Sequence, residues 1–245
     1  MIASRLYRPG HGPLTRYFRN WRDSGALFAF YLSYVFFYAP LLTRAMAPFM
    51  RKPVTLERLC HELGVDYALT DDVNEPRIRD ALAARGVRRL VSCYFDQILG
   101  DALIAACPEG CLNLHPGRLP EYRGLFPEFH AAAEGGPFGY AIHCITDTGV
   151  DTGPLIETGT VTVPGEADLL CVSRRVLEAG TEALGRVVAD WDTAVSRAVP
   201  QHGGRYHSYP DRLTMRRLRD SGRSVLNWRT VQADLRQFAR ARTDH

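Results

Sequence analysis

From residue 53 onward the apolar positions switch between helical and strand spacing, which is the pattern of an α/β protein. Leu56, Leu59, Cys60 and Leu63 form one apolar stripe, with Thr55 placed to cap the helix and Gly64 to end it. Residues 76–85 form a second helix, opened by Pro76 and closed by Gly86. The runs RLVSCYF (89–95), CLNL (111–114) and YAIHCIT (140–146) predict strands, and 155–163 predicts a strand pair turning near Gly159. Residues 101–107 read as a short helix. Leu169, Val172, Val176, Leu184, Val187 and Trp191 recur at three- and four-residue steps, so a long helix is expected over 167–191. Gly180 inside that stripe points to a close neighbour. Residues 200–210 read as a Gly- and His-rich linker, followed by two short basic helices at 213–219 and 231–240.

The N-terminal segment follows a different pattern. Residues 25–43 carry no charge and are flanked by arginines on both sides. Their length reaches the lower range of a membrane span. Pro40, three tyrosines (Tyr31, Tyr34 and Tyr38) and similar positive charge at both ends argue instead for a helix lying on the protein or on a membrane surface.

Composition adds bounds. The chain has 245 residues, 46% of them hydrophobic, enough for a real core. Net charge is +3, too small to imply nucleic acid by itself, and Lys52 is the only lysine. The six cysteines contain no C-x-x-C pair, and no His/Cys spacing suits zinc, so buried or half-buried thiols in a reducing compartment are expected.

The chemistry concentrates in 110–155. Asn113 and His115 are two apart on a strand, so they project from the same face at its C-terminal end, where open parallel sheets bind ligands. A carboxamide can donate to a developing oxyanion, and an imidazole can hold or move a proton near neutral pH. Asp151, between Gly149 and Gly153, can orient that imidazole and raise its proton affinity. His143 on its strand reads as a core or supporting histidine before a catalytic one, His130 as packing, and Asp147 as a turn residue.

The run N-x-H-P-x-x-L-P-x-Y-R-G, with D-T-G placing Asp151 38 residues after Asn113, resembles the formyltransferase domain that uses 10-formyltetrahydrofolate. Methionyl-tRNA formyltransferase, glycinamide ribonucleotide transformylase and the sugar N-formyltransferases form that family. The resemblance covers about 55–191. It implies a Rossmann-like, mostly parallel α/β sheet, here lacking the first strand–helix unit, since residues 1–4 resemble the second strand of that fold. The implied domains are 1–195, with 25–46 as an apolar helical insert, and 196–245 as linker and short helical extension. The resemblance also implies catalysis by Asn113, His115 and Asp151. It implies a folate donor held between Phe95, Gln97, Ile98 and Leu99 on one loop and Thr146, Asp147, Gly149 and Val150 on the other. Ile98 and Leu99 would supply the apolar wall, and no metal is needed. The acceptor amine would meet Gly117, Arg118, Tyr122, Arg123 and Gly124, of which Tyr122–Gly124 could equally be a plain loop. Gly117 and Arg118 stand where many relatives have other residues. A small amine acceptor, such as a nucleotide-linked amino sugar, is favoured over tRNA. Folate-linked hydrolysis and a truncated relative without activity stay open. A cytoplasmic location is expected, with membrane-surface contact through 25–46 left open.

Overall fold

The structure, a computed structural model, describes residues 1–4, 13–47, 55–233 and 236. The chain divides into two compact units, Met1–Asp71 with Ser224–His245, and Asp72–Arg223. The first unit begins with strand β1 (Ile2–Ser4). It continues through helices α1 (Pro13–Ser24) and α2 (Ala26–Ser33), a π-helical turn (Tyr34–Tyr38) and α3 (Ala39–Met46). Helix α4 (Leu56–Glu62) and strand β2 (Ala68–Thr70) follow, and β1 pairs with β2 in parallel. Gly25 separates α1 from α2 with φ 97°, a backbone state open to glycine. As expected, Thr55 caps α4, its side chain accepting from the Arg58 N–H, and Gly64 follows at φ 65°. Residues 228–233 are helical, whereas most of 234–240, expected as the rest of that basic helix, lies outside the described residues.

The second unit runs α5 (Pro76–Ala84), β3 (Leu90–Cys93), α6 (Asp101–Ala105), β4 (Cys111–His115), β5 (Tyr122–Gly124) and α7 (Pro127–Glu134). Then come β6 (Gly139–Ile145), β7 (Leu155–Thr160), α8 (Leu169–Ala189), α9 (Trp191–Ser196), β8 (Arg205–His207) and α10 (Arg212–Asp220). Its main sheet has the order β3-β4-β6-β7. β3 and β4 are parallel, and β4–β6 and β6–β7 are antiparallel. Parallel pairing thus holds at one edge of this sheet and in the small β1–β2 and β5–β8 pairs.

Three expectations give way here. Residues 155–163 hold a single strand, β7 over Leu155–Thr160, and not a hairpin: Gly159 sits opposite Tyr140 within the β6–β7 ladder. The stretch 200–210 is not a free linker, because β8 inside it pairs with β5, itself read as a loop candidate. Cys93 is exposed, while the other five thiols are buried or half-buried.

Helix α8 explains which face of β4 carries the site. It buries Leu169, Val172, Val176, Ala183 and Val187 against the sheet. At Gly180 a Cβ would stand 2.8 Å from Leu114 Cδ1 and 3.3 Å from Tyr140 Cβ, so the helix packs directly on these side chains with no room for one of its own. Leu112 and Leu114 are buried, and alternation then turns Asn113 and His115 to the opposite face. The helix starts at Asp168, which is fully buried and accepts from the Cys171 N–H at 2.9 Å. Asp168→Ala should lower unfolding stability by about 0.5–2 kcal/mol, the range for a lost N-cap. Urea titration checks it, and an unchanged midpoint would show that this cap does not hold α8.

Candidate active site

Four side chains from three segments meet at the end of β4. Asn113 lies directly opposite His143 in the β4–β6 ladder, and such pairs share a face. A register irregularity between Ile142 and His143 marks a bulge at this point, a device that re-aims a side chain. Asn113 Nδ2 stands 3.1 Å from His143 Nε2 and 3.3 Å from Asp151 Oδ1. The other Asp151 oxygen, Oδ2, lies 3.4 Å from His115 Nδ1, and His143 Nε2 lies 3.4 Å from Asp151 Oδ1. Residues 36 and 38 positions apart in the chain therefore share one carboxylate.

Asp151 is held by its surroundings more tightly than by these partners. The Gly124 N–H donates to Oδ2 at 2.8 Å. The Gln201 amide donates to the carbonyls of Asp151 and Gly153 at 2.9 and 2.7 Å. Asp151 itself has φ 52°, a left-handed conformation costly for a non-glycine residue, which persists where surrounding bonds fix it. Gly153 cannot carry a side chain, since a Cβ would lie 1.9 Å from the Cys144 carbonyl oxygen. Gly124 has φ 98°, and its Cβ would meet the His207 carbonyl oxygen at 2.1 Å. These glycines let backbone approach the carboxylate's loop.

Carbonyl partners fix the imidazole tautomers. His115 Nε2 is 2.7 Å from the Tyr122 carbonyl oxygen, and a carbonyl only accepts, so Nε2 carries hydrogen. The neutral ring then presents its basic nitrogen, Nδ1, to Asp151. His143 Nδ1 likewise faces the Cys144 carbonyl at 2.8 Å, which leaves Nε2 to accept from Asn113. Both Asn113 amide hydrogens are thereby directed, one to His143 and one to Asp151. Burial pushes the His115 imidazole below its ordinary 6.5, outweighing the upward pull of Asp151 and the Tyr122 carbonyl. Burial pushes the Asp151 carboxyl up, but the neighbouring His143 and His115 rings and the Gly124 N–H together hold it below 3.8. A neutral imidazole beside an ionised carboxylate is the state of a proton acceptor near pH 7.

The remaining candidates divide by exposure. On the 95–99 loop, Ile98 is exposed but Leu99 is buried, so of these two Ile98 presents the apolar surface to a ligand. Phe95 is half-buried, and Gln97 accepts from the Val73 N–H, which ties it to the scaffold. Asn74 pins the loop, donating to the Ile98 carbonyl at 3.0 Å and accepting from the Gly100 N–H at 2.6 Å. On the second loop Thr146, Asp147 and Gly149 are exposed and Val150 half-buried. Asp147 accepts from the Gly149 N–H at 2.7 Å, the turn role expected of it. Tyr122 is buried against His207, with its hydroxyl at Gly136, so it reaches the site through its carbonyl and not its ring. Gly117 has no room for a side chain: a Cβ would meet Pro127 Cβ at 2.5 Å and His115 Nε2 at 2.9 Å. Arg118 is engaged with Thr160 and Glu121 through its terminal nitrogens, and its Nε, like that of Arg123, is buried without a hydrogen-bond partner. His130 packs as expected, inside α7 and against His207.

The sequence matches the family model described as Formyl transferase over residues 57–188, more than half of the chain. It is 28% identical over 150 residues to the methionyl-tRNA formyltransferase of Trichlorobacter lovleyi, covering 61% of this chain and 47% of that one. With the methionyl-tRNA formyltransferase of Bifidobacterium animalis subsp. lactis it shares 31% identity over 171 residues, 68% of this chain and 53% of the other. The chain thus spans about half the length of these curated relatives. Among solved structures, a sugar N-formyltransferase from Shewanella sp FDAARGOS_354 aligns with TM-score 0.51 at 18% identity, over 85% of this chain and 75% of that chain. The phosphoribosylglycinamide formyltransferase from Anaplasma phagocytophilum aligns with TM-score 0.51 at 19% identity, over 62% and 78%. At such identities these structures share the fold.

The two shifts give a pH signature. The unfolded His115 ring takes its proton at higher pH than the folded one, so stability falls as pH drops below about 6.5. The unfolded Asp151 carboxyl also protonates before the folded one. Its contribution is fully present above about pH 4 and is lost as pH falls through the depressed folded value. Urea stability measured from pH 8 to 3 should therefore decline in two limbs. His115→Gln should make the upper limb shallower, His130 and His207 keeping a share of it because burial lowers them too, and Asp151→Asn should make the lower limb shallower, with Asp211 keeping a share. Unaltered limbs in both variants would contradict the assignments.

Proposed function

The chain belongs to the formyl transferase family, and from that premise we propose that it moves a formyl group from 10-formyltetrahydrofolate to the primary amine of a small acceptor. The observation that carries this reading is the meeting of Asn113, His115 and Asp151 at one strand end, with an amide donor and an imidazole served by a single carboxylate.

The acceptor nitrogen attacks the formyl carbon, and a tetrahedral oxyanion forms. The Asn113 amide donates to that oxygen. To do so it exchanges its longest contact, the 3.3 Å approach to Asp151, for the incoming charge. The contacts of Asp151 to its three side-chain partners are all 3.3–3.4 Å, the loose geometry that tightens when substrate arrives. The amine proton passes by way of water to His115 Nδ1, and Asp151 stabilises the imidazolium that results. The bond between the folate nitrogen and the formyl carbon then breaks, and that nitrogen takes the proton. The products are the N-formyl amine and tetrahydrofolate. His143 is a positioning residue, holding the Asn113 amide from the neighbouring strand.

The exposed Ile98 and the open 146–150 turn support a folate edge lying across them. Arg118 and Arg123, each with a buried and unpartnered Nε, support an acceptor that carries an anionic group such as a phosphate, and a nucleotide-linked amino sugar has that chemistry. A second reading, formylation of methionyl-tRNA, has the names of the sequence relatives in its favour. Hydrolysis of the donor would use the same three residues with water in place of the amine.

A formyl-transfer assay with nucleotide-linked amino sugars, charged methionyl-tRNA and no acceptor as its three arms distinguishes these readings. Turnover with the first and not the others is expected. Asn113→Ala, His115→Ala and Asp151→Ala should each reduce turnover at least about a hundredfold, the scale of a lost oxyanion donor. Near-normal rates in all three variants would remove the proposed site.

A further inference from the structure

The first unit carries a surface that formyl transfer does not use. Residues 25–43 have no charged side chain, and Ala26–Ala45 is long and apolar enough to cross a membrane. One side of this helical stretch is covered, since Phe28, Ala29, Tyr31 and Leu32 are all buried. The other side is bare. Leu27, Phe30, Phe37, Tyr38 and Leu41 are between 41% and 55% exposed, and their spacing continues one stripe through α2, the π-helical turn and α3. On α1, Phe18 and Trp21 are also exposed and stack at 6.2 Å. A patch of that size and aromatic content, left open to water, marks an interaction surface.

Charge decides what covers it. Residues 1–56 hold eight arginines and lysines and one acid, Asp23, a net charge of +7 in a chain whose total is +3. The other 189 residues are therefore net negative. Arg19 and Arg44 are exposed at either end of the apolar stretch. A second copy would set one +7 segment against another, and nucleic acid would satisfy the charge but leave the aliphatic and aromatic stripe uncovered. A span would require lipid around Phe28 and Tyr31, which protein already covers. We propose that α1–α3 dock the chain on the surface of an anionic lipid bilayer, with the exposed stripe in the headgroup boundary and the arginines at the phosphates.

Co-sedimentation of the full chain with vesicles tests this independently of any formyl-transfer activity. Binding to phosphatidylcholine vesicles containing phosphatidylglycerol should be at least about tenfold stronger than to phosphatidylcholine alone, and should weaken with added salt. Phe30→Ser with Leu41→Ser, both on the exposed side, should weaken binding at least about tenfold while leaving the circular dichroism spectrum unchanged. Arg19→Glu with Arg44→Glu should do the same without touching the apolar stripe. Absence of binding to either vesicle would overturn the proposal. So would resistance to carbonate extraction, which would mean a span, or a dimer in light scattering that the Phe30/Leu41 variant splits, which would mean a second copy.

Discussion

The carboxylate of Asp151 is the point on which the site depends, because it faces an amide and two imidazoles at once while its own position is set by backbone. A carboxylate with 11% of its side chain exposed pays a desolvation cost unless hydrogen bonds replace water. Here the Gly124 N–H supplies the shortest of those bonds, and the Gln201 amide clamps the carbonyls on either side of Thr152. The left-handed backbone at Asp151 is sustained by that clamp. The long approaches to Asn113, His115 and His143 are then the adjustable part of the network, available for exchange with a reacting group.

The scaffold serves that arrangement. Leu112 and Leu114 lock β4 against α8, with Gly180 letting the helix approach so closely that a Cβ there would stand 2.8 Å from the Leu114 methyl. That contact fixes which face Asn113 and His115 present. The β5–β8 pair holds Gly124 where its N–H reaches the carboxylate. β5 also delivers the Tyr122 carbonyl that dictates the His115 tautomer. Residues far apart in the chain thus act on one imidazole through backbone groups.

Much of this was legible in the sequence. Helix limits followed from capping chemistry at Thr55 and Gly64 and from Pro76, because those signals are local. Asn113 and His115 followed from strand alternation, and Asp151 from a resemblance in spacing. What stayed hidden was set by tertiary pairing. His143 read as a core or supporting histidine, and only the β4–β6 register shows what it supports, by placing it opposite Asn113. Gln201 sat in an apparent linker, and no local pattern announces that its amide clamps a loop 48 to 50 residues earlier. Tyr122 and Leu99 looked like lining residues. Packing on His207 turns the first inward, and Leu99 is buried beside an exposed Ile98. The expected hairpin at Gly159 failed because that glycine is spent on a close approach to Tyr140, where a Cβ would stand 2.5 Å from the ring.

The central claim is that Asp151 acts through His115 as one proton-accepting unit. A double-mutant cycle on kcat/KM for formyl transfer measures that coupling directly. If the two residues work as a unit, Asp151→Asn combined with His115→Ala should be about as slow as His115→Ala alone. Losses that multiply would mean that the carboxylate and the imidazole act separately, contrary to this account.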